Sequence, residues 1–283
     1  MSRNRDRMGN PTPENTAPPQ QALQENPGFS FVVPTEFVEL PSGGRYYSTG
    51  HPLHNQESIE IKQMTAKEED MLTSRTLLKN GLAIDRVLKS IIMNKSIDTD
   101  TLLVGDRNAI LIAARISGYG SEYSTNVTCP ACETSQNHTF NLLDITNINE
   151  NINHELDITN NNDGTFTTTL PRTRVNVTYK LLNGSDEKNM VKRLENDRKK
   201  KRIEAGVTSQ IGSMVVSVNG DGSPQALNYL IDNIPSIDAR HLRLCYRLTA
   251  PNVDMTQYFS CGDCGHSEQM EVPLTADFFW PDR

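Results

Sequence analysis

Cys129-Pro130-Ala131-Cys132 and Cys261-Gly262-Asp263-Cys264-Gly265 are two CxxC pairs that together hold four of the five cysteines in the chain. In each pair both thiolates can converge from one tight turn, a knuckle in which backbone N–H groups also donate to sulfur. Two facing knuckles supply the tetrahedral four-sulfur shell that zinc prefers. The flanks agree. Thr125-Asn126-Val127-Thr128 leads into the first pair and His138-Thr139-Phe140 leaves it, while Gln257-Tyr258-Phe259 and Met270-Glu271-Val272 bracket the second. β-prone residues on both sides of a turn are the layout of a zinc ribbon. The expected ligands of one structural Zn2+ per chain are therefore Cys129, Cys132, Cys261 and Cys264. Four thiolates leave no open position for water, so the site is expected to build structure and not to catalyse. His138 and His266 lie nearby in sequence and are read as bystanders.

Two other readings of the cysteines are weaker. A disulfide framework belongs to small secreted domains, and the N-terminus here does not resemble a secretory leader. A redox CxxC would sit near a βαβ unit, and the pattern shows none. Cys245 stands alone in Leu242-x-Leu244-Cys245-x-x-Leu248 and reads as a small buried hydrophobe. The unusual feature is that residues 133–260 separate the knuckles, so metal binding must join two distant parts of the chain.

At 283 residues the chain can bury one large core or two smaller ones. It is 36% apolar and 22% charged, with a formal net charge of −7. That balance argues against nucleic acid as the main partner, because such binding rests on neutralising phosphates. No apolar run approaches the roughly 20 residues that span a bilayer.

Residues 1–28 are polar and proline-punctuated, the signature of a disordered tail. From 29 to 64 apolar, proline-broken segments such as Phe37-Val38-Glu39-Leu40-Pro41 suggest an extended arm, with Ile59-x-Ile61 a short strand. Such an arm lies either across its own domain or across a neighbour. A helical core follows over 65–120. Its first helix opens with a capping box, Thr65-Ala66-Lys67-Glu68. The second carries Ile84, Val87, Leu88, Ile91 and Ile92 as a buried stripe. The third starts near Asp106 and is apolar nearly all round through 109–114, so it should lie at the centre.

Residues 121–182 with 246–283 are read as the ribbon and a small antiparallel sheet, with strands at 156–158, 166–170 and 175–180. An inserted helical region occupies 183–245. It should begin with one long helix, 186–218, capped by Ser185. The run Arg198-Lys199-Lys200-Lys201-Arg202 within it is flanked by Glu195, Asp197 and Glu204 and reads as a solvated face. Asp106-Arg107 is read as capping and surface. At the other end Phe278-Phe279-Trp280 either seals the ribbon or docks on a partner. The arm 31–47 and this aromatic terminus are the expected partner-binding elements. The fold expected is α+β: a helical core with a split four-cysteine zinc ribbon and a small antiparallel sheet. No phosphate loop, nucleophile elbow or HExxH appears, so an enzyme is not expected.

Several phrases together carry a resemblance: Leu40-Pro41-Ser42-Gly43-Gly44-Arg45-Tyr46-Tyr47, TAKEEDMLT from Thr65, and Asp106-Arg107 leading to Arg115-Ile116-Ser117-Gly118-Tyr119-Gly120. The CPAC knuckle and the closing CGDCG with Val272-Pro273-Leu274 and FFW belong to the same set. Over 31–140 and 235–281 the chain resembles the baseplate hub proteins of T4-like contractile-tailed bacteriophages, while 141–234 reads as particular to this chain. The resemblance implies a structural or assembly component of the tail baseplate hub. Its partners would be other phage tail proteins, with no small-molecule substrate and no membrane span. Its location would be the virion tail baseplate or the infected host cytoplasm during assembly. The alternative is a zinc-ribbon nucleic-acid-binding or transcription-associated protein.

Overall fold

Thr35 to Glu39 form strand β1 (Thr35–Glu39), whose alternation sends Val38 inward and leaves Phe37 68% exposed. Its partner is not a neighbour but the chain's own β2 (Ser58–Lys62), antiparallel, with Thr35 opposite Lys62 and Glu39 opposite Ser58. This computed structural model describes residues 32–74, 76–77, 81–148, 156–200, 205–273 and 276–279. The expected disordered tail, Phe31, Lys201, Arg202 and Trp280 lie outside the described residues.

Three helices follow: α1 (Ala66–Thr73), α2 (Ala83–Ile91) and α3 (Val104–Tyr119). The capping box at α1 is present, with the Glu68 carboxylate accepting from the Thr65 N–H at 2.9 Å and the Thr65 hydroxyl at 2.6 Å. The same carboxylate accepts from Lys62 of β2 and Ser90 of α2, so a local cap also staples three elements. Burial alone would raise the Glu68 pKa, but the hydrogen bonds from Lys62, Ser90 and Thr65 win and bring it down to about 2. The α2 stripe is buried as its spacing predicts, with Val87, Leu88 and Ile91 fully enclosed.

Two hairpins carry the cysteine pairs: β3 (Glu122–Thr128) with β4 (Ser135–Asn141), and, near the C-terminus, β11 (Thr256–Ser260) with β12 (Ser267–Glu271). Between them β5 (Thr146–Ile148) pairs with β10 (Asn252–Asp254). A four-stranded antiparallel sheet is ordered β6 (Ile158–Asn160), β7 (Thr165–Thr169), β8 (Asn176–Lys180), β9 (Val215–Val218). The remaining helices are α4 (Gly184–Lys199), α5 (Gly206–Met214), α6 (Pro224–Asn233) and α7 (Ser236–Thr249). The result is a mixed α+β fold, with seven helices and several small antiparallel sheets among the described residues, and the described residues from Thr35 on form one compact unit.

The region 183–245 is therefore not a purely helical insertion, and the long helix expected over 186–218 does not form. α4 ends at Lys199, α5 starts at Gly206, and Val215–Val218 leaves helix altogether to pair with β8, Val177 opposite Val218. Val215 and Val218 fit helical spacing, but β-branched residues also suit a strand, and an open sheet edge at β8 decides between the two. The α4 cap is Asn183, not Ser185. Its side chain accepts from the Asp186 N–H at 3.0 Å, and Asp186 reaches back to the Asn183 N–H at 3.2 Å.

Of the two placements open to the arm, the structure has the one across its own domain. Val38, Leu40 and Tyr47 are buried in the core of the same chain. What seats them is Asp106, in the first turn of α3, whose carboxylate accepts from the Ser42 N–H at 3.0 Å, the Ser42 hydroxyl at 2.6 Å and the Tyr47 hydroxyl at 2.7 Å. Two further N–H groups complete the cluster: Gly44 donates to the Ser42 hydroxyl and Leu103 to the Tyr47 hydroxyl. Gly44 itself has φ +72°, and a Cβ there would meet the Gln56 nitrogen at 2.3 Å, so the turn admits only glycine. Asp106-Arg107 is accordingly core, not surface. Arg107 donates to the Thr99 carbonyl and to Asp85 at 3.0 Å, and lies 3.4 Å from Glu187 of α4.

The aromatic terminus is core as well, as far as it is described. Phe278 and Phe279 are buried, and the Phe278 ring meets Tyr123 edge-on at 5.2 Å. Buried Arg115 of α3 donates to the Phe278 carbonyl at 2.5 Å, the Gly120 carbonyl at 2.8 Å and the Glu122 carbonyl at 3.2 Å. One guanidinium thus ties the C-terminal segment, the end of α3 and the start of β3 together.

Candidate metal centre

The turns joining β3 to β4 and β11 to β12 are built alike. In the first, the Cys129 N–H donates to the Thr134 carbonyl at 2.9 Å and the Glu133 N–H to the Cys129 carbonyl at 2.9 Å. In the second, the Cys261 N–H donates to the His266 carbonyl at 2.8 Å and the Gly265 N–H to the Cys261 carbonyl at 3.1 Å. The residue after each second cysteine takes the left-handed conformation, Glu133 at φ 59° and Gly265 at φ 71°. Gly265 does so without strain, whereas Glu133 carries a modest steric cost. The two knuckles are thus equivalent turn for turn, and each directs its pair of sulfurs the same way.

Side-chain amides hold the hairpins together. Gln136 of β4 donates to the Ser260 carbonyl at 2.9 Å and accepts from the Gly262 N–H at 2.9 Å, so it grips the second knuckle by its backbone. Gln257 of β11 returns the contact, donating to the Asn141 carbonyl at 2.8 Å and accepting from the Asn141 N–H at 3.2 Å. Beneath them the His138 ring stands edge-on to Phe140 at 4.6 Å and to Phe259 at 5.3 Å. Tyr123 closes the underside by donating to the Pro273 carbonyl at 2.9 Å.

The four cysteines are brought to one point as their spacing predicts. All four sulfurs lie within 4.8 Å of one another, close enough to hold a metal ion. Cys129 Sγ is 3.7 Å from Cys264 Sγ, and Cys132 Sγ is 3.7 Å from Cys261 Sγ, so each close pair joins one knuckle to the other. Cys129 and Cys261 are buried, Cys132 and Cys264 exposed. Hydrogen bonding from the Thr134 side chain and backbone holds the Cys132 thiol down at about 6. At Cys264 the His266 backbone favours the thiolate, but the crowding sulfurs of Cys132, Cys261 and Cys129 oppose it and push that thiol up to about 12.

The other nearby candidates stay out of the cluster. His266 Nε2 lies 3.4 Å from Glu268, and His138 is occupied with aromatic rings. Cys245 is fully buried elsewhere, its sulfur 3.4 Å from His241 Nε2 and 3.7 Å from the Thr168 hydroxyl. Of the basic run, Lys199 lies 3.8 Å from Glu195 one helical turn back. The buried polar residues Asp106, Arg107 and Arg115 were not singled out as structural nodes by sequence reasoning. Their one visible signal is that three charged side chains flank the apolar run 109–114 on the same helix.

The family described as T4 bacteriophage base plate protein matches residues 33–280. That span includes 141–234, so the stretch read as particular to this chain falls inside the family match. No curated protein and no solved structure matches the chain.

Proposed function

Because the chain belongs to the T4 bacteriophage base plate protein family, we propose that it is a non-enzymatic component of the tail baseplate hub. In this reading one structural zinc ion, bound by Cys129, Cys132, Cys261 and Cys264, holds its two cysteine hairpins together. The observation that carries the zinc reading is the sulfur geometry. Four thiolates around zinc at about 2.3 Å form a tetrahedron with edges of about 3.8 Å. The two close inter-knuckle contacts are 3.7 Å, far from the roughly 2.05 Å of a disulfide. The ion would supply a fixed divalent charge and no reactive position. The chain's own residues do the positioning: matching turns aim the sulfurs, Gln136 and Gln257 set the hairpins, and Phe259 and Phe140 pack beneath them. Closing the loop 133–260 by such a clip removes conformational freedom mainly from the unfolded chain.

The proposed place of action is the virion tail, and the proposed partners are other tail proteins. The test is complementation of a phage in which this reading frame is interrupted, with assembly read by negative-stain electron microscopy. Wild type and Cys245→Ala are expected to restore baseplates, and Cys132→Ser with Cys261→Ser to leave them missing or incomplete. Normal baseplates in the complete absence of the chain contradict the assignment.

A further inference from the structure

Helix α7 has a second face that the core does not use. Asp238, Ala239, Leu242, Cys245 and Thr249 point inward and are buried. Arg240, Arg243 and Arg247, at i, i+3 and i+7, instead line a cleft of about 540 Å³ whose wall includes Leu244, Ile148 of β5 and Gln210 of α5. Leu244 is 39% exposed and Ile148 42% exposed. Among the described residues none of the three arginines has a carboxylate within ion-pair distance, and only Arg243 makes a side-chain hydrogen bond, to the Ala239 carbonyl of its own helix at 3.4 Å. Some cations elsewhere are matched with acids: Arg107 with Asp85 and Glu187, Lys188 with Asp85 and Asp100, Lys62 with Glu68.

Three guanidinium groups without a carboxylate partner on one cleft make a local positive patch in a chain of net charge −7. We propose that this cleft is the docking site for an acidic segment of a neighbouring baseplate protein. Its carboxylates would meet Arg240, Arg243 and Arg247, and an apolar side chain would lie against Leu244 and Ile148. Arginine suits this use because its planar fork holds a carboxylate through two hydrogen bonds and is weakly hydrated. The two exposed apolar side chains distinguish the cleft from a bare phosphate-binding track, which would need only charge. The proposal rests on the baseplate reading for where the partner is found, but not on the cysteine site.

The experiment places the photo-crosslinking amino acid p-benzoylphenylalanine at position 244 of the full chain in phage-infected cells and maps the cross-linked peptide by mass spectrometry. The expected product is a segment of a tail protein rich in Asp and Glu with an adjacent apolar residue. Its yield should drop at least about tenfold in the Arg240→Glu/Arg243→Glu/Arg247→Glu variant, as for charge-steered docking. Changing the mapped acids to Lys should restore the cross-link to that variant. Metal content and thermal melting of the variant report whether it is folded, and Lys67→Glu/Lys89→Glu on another face serves as the charge control. No cross-link, a cross-link to DNA, a segment without net negative charge, or no loss on charge reversal each overturns the proposal. An acidic segment from a protein outside the tail would leave the cleft assignment standing and contradict the baseplate reading instead.

Discussion

The Ser42 hydroxyl donates to the Asp106 carboxylate at 2.6 Å, across 64 residues of sequence, and so pins the loop after β1 to the first turn of α3. The same carboxylate takes the Tyr47 hydroxyl and the Ser42 N–H, which makes it the single acceptor for three buried donors. Removing it strands all three. Asp106→Ala is expected to lower stability by at least about 3 kcal/mol, since each buried unsatisfied polar group costs about 1–3 kcal/mol. Ser42→Ala, which removes one donor hydroxyl, should cost about 1–2 kcal/mol. Urea midpoints of the two variants, compared at equal slope, check both the order and the sizes.

Glu68 governs part of the acid limb of stability. Its pKa falls from an ordinary 4.5 to about 2 in the folded chain, where hydrogen bonds from Lys62, Ser90 and Thr65 outweigh the effect of burial. A depressed carboxyl pKa contributes stability that is fully present above the unfolded value and is lost as pH falls through the folded one. The window therefore runs from about pH 4.5 down to about 2. Asp106 acts in the opposite sense, because burial raises its pKa against the hydrogen bonds from Ser42 and Tyr47. The difference between wild type and Glu68→Gln isolates the Glu68 contribution. Glu68→Gln should be less stable at pH 7, and its melting temperature should fall less between pH 5 and pH 3. Parallel melting curves for the two proteins across that range would contradict this assignment.

What was legible in the sequence was what is written locally. The CxxC pairs encode their own turns, the capping box needs four residues, and the α2 stripe follows from helical period alone. What was not legible is long-range. Val215 and Val218 satisfy a helical spacing, and only the open edge of β8, some 40 residues earlier in the chain, turns their segment into a strand. The segment 31–47 looks like an arm because nothing in it reveals that Asp106 will accept its hydroxyls. Nothing in the apolar helix around Arg115 reveals the Phe278 carbonyl that reaches it from 163 residues away.

That Arg115 contact is a clamp, and its removal should be felt at the C-terminus. Arg115→Met leaves the Phe278, Gly120 and Glu122 carbonyls without their donors and should cost more than about 2 kcal/mol. Arg115→Lys is expected to rescue little, because one ammonium cannot reproduce a fork spread over three carbonyls. The site-specific readout is chymotryptic cleavage after Phe278 and Phe279, which should accelerate in both variants. Unchanged cleavage would mean that the terminus is held by other contacts.

Cys245 tests the assignment of the cysteines by exclusion. It is buried on α7 beside His241 and Thr168, away from the sulfur cluster. Cys245→Ala should leave bound metal unchanged and cost only about 1–2 kcal/mol, as for truncation of a small core side chain. Loss of metal in this variant alone would show that the ligand set is wrong.

The four-sulfur site is the feature that joins the two hairpins, and metal stoichiometry of the purified full chain tests it most directly. Elemental analysis with native mass spectrometry should find about one zinc per chain in the wild type and none in Cys132→Ser or Cys261→Ser. Stripping the ion with a strong chelator should lower the melting temperature by about 10 °C or more, because structural zinc contributes several kcal/mol to folding. Protein purified without any bound metal, melting at the same temperature with and without chelator, would contradict it.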